Sequence, residues 1–256
     1  MRSLIAFIKK EFTEQLRSGR LMILGLLFVL FGIMNPAIAK LTPWLLETMA
    51  DSLAESGMIV TDVKVSAMDS WVQFYKNIPM GLIAFVLLES SIFTKEYTSG
   101  TLVLSLTKGL ERYKVVISKA LVLTVLWSFG YWLCFGITYG YNAYFWDNGI
   151  AQNLLFSVTC WWLFGLFVVM LMVLSSVMTD ANTGVLLGTG GVTLAVYLIT
   201  LLPKAAPFSP AKLMGSVALL AGAEEKGDYY KALLITVVLC VAGVMASIPV
   251  QNKRRM

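Results

Sequence analysis

Long apolar runs alternate with short polar segments along the chain, and six of the runs are long enough to cross a membrane as helices. About 20 apolar residues in a helix span roughly 30 Å of hydrocarbon. The second run is short as written, and we expect its helix to extend into the amphipathic residues before it. The pattern predicts an all-α integral membrane protein with six transmembrane helices in one domain, 1–256. The predicted spans are 21–41, 78–93, 115–139, 153–178, 185–202 and 232–250.

The first twenty residues, 1–20, predict an amphipathic helix ahead of the first span. Apolar side chains recur at near-helical spacing and include Phe12, while Lys9, Lys10 and Arg17 occupy the other face. A helix with one apolar and one charged face lies in the membrane interface instead of crossing it. We therefore expect an interfacial helix at the N-terminus.

The segment 42–77 predicts short amphipathic helices on the outer membrane surface. Thr42 suits the cap of one helix, and Ser66 with Asp69 forms a capping-box pattern at the start of another. Aromatic side chains of such segments concentrate in a belt at the membrane–water interface. We assign to this belt Trp44, Trp71 and Tyr75.

The second half of the chain carries two packing signals. Gly184 and Gly188 lie four residues apart in span five and allow another helix to approach closely. In 203–231, three prolines introduce a short amphipathic run that Ser209 can cap. This run is too short to span, and we expect it to dip into or lie on the outer leaflet.

The composition of the chain narrows the classes of function that it can have. The chain is 58% hydrophobic and 14% charged, with a mean hydropathy of +0.77, which is too apolar for one soluble core. It has no histidine, and its three cysteines lie singly in apolar runs. These features argue against disulfide frameworks, metal sites and Ser-His catalysis. We expect no enzymatic activity, and no metal or cofactor bound by this chain.

The positions of the basic residues predict the orientation in the membrane. Thirteen of the twenty Lys and Arg residues fall in or beside 1–20, 94–114 and the C-terminus, whereas nine of the fifteen acidic residues fall on the other side. By the positive-inside rule, both termini and 94–114 face the cytoplasm. The net charge of +5 thus reflects topology and attraction to anionic membrane lipid, and we expect no binding to nucleic acid.

Glu89 is the ionisable residue that lies well inside a predicted span, about one turn from its cytoplasmic end. A carboxylate within the membrane is a candidate substrate contact, ion contact or proton relay. The alternative is a structural partner in the bundle or at the cytoplasmic interface. The sequence leaves both roles open.

The segment 94–114 separates two apolar spans and carries its own apolar side chains. Leu102, Leu104 and Leu106 alternate with small polar residues, and basic residues then lead directly into the third span. One interpretation is a solvated loop whose charges only enforce topology. The other is a docking element that presses on a cytoplasmic partner, which its length and its leucines favour.

The stretch KEYTSGTLVLSLTKGLERYKVVISKAL resembles the Glu-x-x-x-Gly-Thr-Leu signature of ABC-2 type permeases, the membrane subunits of bacterial ABC transporters. The amphipathic start, the six spans and the proline-marked segment before span six follow the same order as in that family. Many relatives carry a proline shortly before the basic residue, where this chain has Lys108, Gly109 and Leu110. The matching positions are Glu96, Gly100, Thr101, Leu102, Arg112 and Lys119.

The resemblance implies a transport subunit of the bacterial cell membrane without ATPase chemistry of its own. Such permeases pair with an identical or related permease, and each half sits on a separate cytoplasmic ATPase subunit, two copies in all, which bind ATP and Mg. The surface helix 1–20 and the coupling segment 94–114 are the parts that touch the ATPase. The candidate residues are Lys9, Lys10, Phe12, Arg17, Glu96, Thr98, Gly100, Thr101, Leu102 and Arg112.

Relatives of this size are associated with export of, or protection against, antimicrobial peptides and other amphipathic compounds. The resemblance therefore implies an amphipathic cargo, for which a kink at Pro36 and the glycines of span five mark a candidate path. Two alternatives stay open. One is sodium extrusion by a related permease, and the other is a non-transporting membrane anchor that recruits a cytoplasmic partner.

Overall fold

In the computed structural model, residues 2–49, 64–107, 109–215 and 217–253 are described, and over these residues the chain forms ten α-helices and no strand. Short 3-10 turns connect several of the helices, at Asn148–Ile150, Ala206–Phe208, Pro210–Gly215 and Lys226–Tyr229. The α-helices are α1 (Arg2–Arg17), α2 (Arg20–Thr48), α3 (Ala67–Glu89), α4 (Ser91–Thr98), α5 (Thr101–Thr107), α6 (Arg112–Phe145), α7 (Leu154–Met178), α8 (Asn182–Ile199), α9 (Val217–Leu220) and α10 (Tyr230–Lys253).

Six helical segments in the described residues are long and apolar enough to cross a membrane, which confirms the predicted fold class. They contain α2, α3 with α4, α6, α7, α8, and α10. The helix of the second span begins at Ala67, so the predicted extension is also confirmed. Ser66 and Asp69 form the capping box at its start, with Ser66 Oγ accepting from the Met68 amide.

The first span continues further than predicted. Thr42 does not cap a new helix, because α2 runs through it to Thr48 and its hydroxyl donates to the Ile38 carbonyl at 2.8 Å. Leucines beyond residue 43 extend both the apolar run and the helix-forming sequence. The remainder of the predicted outer helix, at 50–56, lies outside the described residues.

Large aromatic side chains fill the centre of the bundle, and the assignment of Trp71 and Tyr75 to an interfacial belt is wrong. Trp71 is fully buried and stacks on Phe135 of α6, with ring centroids 5.5 Å apart. Trp44, by contrast, is 60% exposed. Lipid and bundle core are equally apolar, so hydropathy alone cannot distinguish a ring that packs between helices from one that faces lipid.

The predicted close approach in span five is present at Gly188. A β-carbon there would lie 2.8 Å from Ser175 Oγ of α7, which brings α8 close against α7. A β-carbon at Gly190, two residues further on, meets nothing within 4 Å, and this glycine borders a groove. The glycines therefore serve two different faces of α8.

The segment after α8 folds against the bundle as a series of turns. Ser209 Oγ accepts from the Ala211 amide, as its predicted capping role requires. The prolines remove backbone donors and keep the segment from forming one continuous α-helix. Leu213 and Leu220 are fully buried, so its apolar side faces the protein.

The start of α1 and the end of α10 lie at one end of the bundle, which we call the termini end. The Arg112 guanidinium, at the start of α6, donates to the Gln251 and Asn252 carbonyls at the end of α10. The α1 helix packs on α6 at the same end. The polar segment 94–114 therefore lies beside α1 and the end of α10.

Candidate functional site

The α1 helix has three faces instead of the two predicted. Phe7, Glu11 and Gln15 recur every four residues and are all buried against the bundle. Ile5 is 66% exposed on the apolar outer face, and Arg17 is exposed on the polar one. The carboxylate of Glu11 and the amide of Gln15 therefore both point inward.

Glu11 meets a lysine that the spans hold in place. Lys119 of α6 is only 1% exposed, and its Nζ donates to Glu11 Oε2 at 2.7 Å and to the Ile92 carbonyl at 2.9 Å. The same Nζ lies 2.9 Å from Glu96 Oε2 of α4. One ammonium group thus joins α1, α4 and α6.

Lys10 closes this arrangement into a ring. Its Nζ donates to Glu11 Oε1 at 3.0 Å and also to Glu96 Oε1. Each carboxylate therefore contacts both lysines, and positive and negative groups alternate around the ring. We call Lys10, Glu11, Glu96 and Lys119 the ion-pair ring.

The charges of the ring balance each other, which allows them to remain in a largely buried place. Burial by itself would lower the pKa of Lys10, but the hydrogen bond to Glu96 and the charge of Glu11 outweigh it and raise the pKa above its usual range. Removal of one member leaves a partner charge uncompensated, which costs about 3–5 kcal/mol for a buried pair.

A cation site is the competing interpretation of this region. Carboxylate oxygens of Glu11, Glu14 and Glu96 lie within 4.8 Å of one another. Lys10 and Lys119 contact carboxylates of the same group, so two ammonium groups already neutralise two of its three negative charges. The arrangement is that of an ion-pair network.

The signature residues of the polar segment have structural roles within the protein itself. Glu96 belongs to the ion-pair ring, and Leu102 is 1% exposed in the core. Gly100 separates α4 from α5 with a φ of +68°, a left-handed conformation that favours glycine. These residues shape the segment from inside, and their predicted contact with an ATPase stays a prediction.

Other parts of the segment point outward. Thr98 and Thr101 are exposed at the junction of α4 and α5, and on α1 so are Lys9 and Arg17. Phe12 is 38% exposed. Because the ring joins α1 to α4, these exposed side chains belong to neighbouring elements at the termini end.

A second connection ties the segment to the last span. Besides the bonds of Arg112 to the end of α10, the Tyr97 hydroxyl donates to Gln251 Oε1 at 2.8 Å. A cation at a helix C-terminus is favourable because the last carbonyls are unpaired and the helix dipole is negative there. The predicted partner contact Arg112 thus also holds α10.

Glu89 lies in the bundle near the ring but outside it. It is fully buried, accepts from Gln15 Nε2 at 2.6 Å, and lies 3.8 Å from Arg20 Nη1. These neighbours are structural ones, in α1 and at the start of α2. The position fits the structural alternative, and a role in transport stays a prediction.

Sequence reasoning missed a neutral polar cluster on the candidate path beside Pro36. Asn35 Nδ2 donates to Thr138 Oγ1 at 2.9 Å, and Asn77 Nδ2 donates to Asn35 Oδ1 at 2.8 Å. We call Asn35, Asn77 and Thr138 the amide node; it joins α2, α3 and α6. The Asn-Pro step was a sequence signal for Asn35, but its partners lie 42 and 103 positions away.

An apolar groove of about 460 Å³ opens between α3, α7 and α8. Pro79, Leu82 and Phe164 line it together with Thr189 and Gly190 of α8. The groove brings the glycines of the predicted path next to the second span.

Comparisons with known proteins agree with this architecture. The family model described as ABC-2 family transporter protein matches residues 5–219, which include the ion-pair ring, the polar segment and the groove. A relative from Bacillus subtilis (strain 168), the uncharacterized transmembrane protein YxlG, is 20% identical over 250 residues, covering 94% of this chain and 93% of the relative. No solved structure gives a significant match.

Proposed function

The chain belongs to the ABC-2 transporter family, and on that premise we propose that it is the transmembrane permease subunit of an ATP-driven ABC exporter. A separate ATPase subunit, present in two copies, binds ATP and Mg at the termini end. A second permease, identical or related, completes the membrane part. The termini end faces the cytoplasm of a bacterial cell, in agreement with its excess of basic residues.

The observation that carries this proposal is the attachment of the polar segment to the helices around it. The ion-pair ring fixes Glu96 to α1 and to Lys119 of α6, and Arg112 fixes the start of α6 to the end of α10. A push on the exposed junction of α4 and α5 is therefore passed to three helices at once.

The α6 helix suits the transmission of such a displacement. Its 34 residues form one uninterrupted helix, about 50 Å long and longer than the roughly 30 Å of hydrocarbon. Lys119 lies two turns from the start of α6, and its ion pairs attach the helix to the ring at this point. A movement at the termini end thus reaches the opposite end of the bundle through a rigid rod.

The cargo we propose is an amphipathic compound, with an antimicrobial peptide as the leading class. The apolar groove between α3, α7 and α8 supports this choice, since it offers an extended apolar surface. In the described residues, the buried carboxylates lie beside lysine or amide partners, so no observation favours the sodium alternative.

Co-purification with a candidate cytoplasmic ABC ATPase tests the partner. The double variant Thr98→Arg, Thr101→Arg places two bulky cations on the exposed junction and is expected to abolish ATPase binding. The matched control is Thr48→Arg, an exposed threonine at the opposite end of the bundle, which retains binding. Binding by both variants would contradict the assigned surface, and a stable partner without nucleotide-binding motifs would favour the anchor.

Labelling from outside the cell tests the orientation. A cysteine introduced at Thr48 is expected to react with a membrane-impermeant reagent, whereas one at Thr98 is protected until the membrane is opened. Cys134 and Cys160 are buried and give little background. The reverse labelling pattern would overturn the proposed topology.

A further inference from the structure

Glu89 and Gln15 leave two acceptor oxygens unpaired where the Gln15 side chain of α1 meets the end of α3. Gln15 Nε2 donates to Glu89 Oε2 at 2.6 Å. The other oxygen of each group, Glu89 Oε1 and Gln15 Oε1, is buried and has no hydrogen-bond partner. Buried polar atoms in proteins are nearly always hydrogen-bonded, so two orphans on one interacting pair require an explanation.

The nearest cation does not supply the missing donors. Arg20 Nη1 lies 3.8 Å from Glu89 Oε2, beyond hydrogen-bond range. Its Nη2 donates to Ser91 Oγ at 2.8 Å. The Arg20 side chain is 21% exposed, so water can also solvate its charge.

The other charged groups near this place are those of the ion-pair ring, together with Glu14 and Lys95, which line a small cavity with Gln15 and Arg20. From α6, Lys119 donates to Glu11 and the Ile92 carbonyl and lies against Glu96. From α1, Lys10 holds the same two carboxylates. The ring is thus balanced without Glu89, and its lysines are already engaged.

We propose that Glu89 and Gln15 form a proton-binding site in which Glu89 is a neutral carboxylic acid paired with the amide. Both groups are planar and of similar size, so they can join through two parallel hydrogen bonds. The amide donates to Oε2, as observed, and a proton on Glu89 Oε1 donates to Gln15 Oε1. One proton, taken from water, satisfies both orphan oxygens and removes a charge that burial makes costly.

Release of this proton to water would separate the two helices. The carboxylate would face the Gln15 carbonyl oxygen without a donor between them, and the second hydrogen bond would be lost. Gln15 lies one turn from Glu11 on the buried face of α1. The pair therefore acts as a proton-dependent latch next to the ion-pair ring, and α1 loosens from α3 as the pH rises.

Infrared spectroscopy of the lipid-reconstituted protein tests the protonation directly. The wild type is expected to show the carbonyl band of a protonated carboxyl near neutral pH. This band disappears in Glu89→Gln, persists in the control Glu111→Gln at an exposed carboxylate, and is lost from the wild type at alkaline pH. A spectrum that Glu89→Gln leaves unchanged would show an ionised Glu89, with water at the orphan oxygens, and would overturn the proposal.

Thermal melting of the same samples gives a second readout that needs neither ATPase nor cargo. Glutamine copies the shape of the neutral acid, so Glu89→Gln is expected to melt close to the wild type near neutral pH and to lose the wild type's decline at alkaline pH. Glu89→Ala removes both hydrogen bonds and melts lower at every pH. A Glu89→Gln protein that fails to fold, or melts as low as Glu89→Ala, would contradict the neutral pair.

Discussion

Two polar clusters hold this bundle together, and they differ in charge and in what they join. The ion-pair ring uses full charges and attaches two elements outside the central spans, α1 and the polar segment, to α6. The amide node uses neutral groups and attaches three spans to one another. Charges inside the membrane are costly, which favours uncharged hydrogen bonds such as those of the amide node between spans.

The difference teaches where the molecule resists displacement. A neutral hydrogen bond inside the bundle contributes about 1 kcal/mol, and its loss leaves only polar atoms without partners. A broken buried ion pair leaves a whole charge uncompensated. At the termini end, a movement of the polar segment is therefore passed on to α1 and α6, because breaking the contacts that join them costs more free energy than breaking the amide node.

The largest effect is expected when the ring loses its central lysine. Lys119→Met leaves Glu11 and Glu96 with one lysine between them, and the free energy of unfolding should fall by about 3–5 kcal/mol. The control is the double variant Lys119→Met, Glu11→Leu, which retains the balanced pair of Lys10 and Glu96. Thermal melting in detergent should show partial recovery in the control; an unstable control and a stable single variant would contradict the ring.

A smaller effect is expected at the turn inside the polar segment. Gly100→Ala forces a β-carbon into the left-handed region and should cost about 1–2 kcal/mol. Gly227→Ala serves as the control, because a β-carbon there meets no neighbour and its φ is not in that region. Equal melting temperatures for the two variants would show that the turn does not depend on glycine.

Breaking the amide node should cost less than breaking the ring. Asn35→Leu keeps the approximate side-chain volume but removes the hydrogen bonds to Thr138 Oγ1 and from Asn77 Nδ2, and we expect a loss of about 1 kcal/mol. The exposed amide Asn182 provides the control, Asn182→Leu, with no loss. If Asn35→Leu proved as damaging as Lys119→Met, the contrast between charged and neutral clusters would fail.

The smallest effect concerns an ion pair at the opposite end. Partial burial by itself would raise the pKa of Glu224, but hydrogen bonds from Lys212 and Tyr229 outweigh it and lower the pKa below 4.5. A carboxyl with a lowered folded-state pKa stabilises the fold above its unfolded pKa and loses this contribution as the pH falls through the folded value. Melting curves below about pH 4.5 should therefore converge for the wild type and Glu224→Gln.

Much of the fold can be predicted from local sequence patterns, whereas the ion-pair ring and the amide node cannot. Spans and the capping box of Ser66 with Asp69 depend on residues close in sequence, which hydropathy and spacing capture. The ring joins residues up to 108 positions apart. Glu11 has the same chemistry as Glu14, and only the packing of α1 on α6 decides which of them points inward.

The aromatic core shows the same limit of prediction from sequence. Trp71 and Trp44 both lie near the outer end of predicted helices, yet one fills the bundle and the other is exposed. Their distinction depends on which face of each helix meets a neighbour, and an apolar environment on both sides hides that information. The sequence therefore locates the polar segment, but it does not give the partner of each side chain within it.

The central claim is that the ion-pair ring transmits movement from the polar segment to α6. Its most direct test is the ATP-driven response of the double variant Lys119→Met, Glu11→Leu in complex with its ATPase. The exposed surface around Thr98 and Thr101 is intact in this variant, but α6 is released from α1 and α4. We predict that the ATPase still binds and that ATP-dependent transport of the amphipathic cargo is lost. Transport at the wild-type rate by this folded variant would contradict the claim that the ion-pair ring carries the movement.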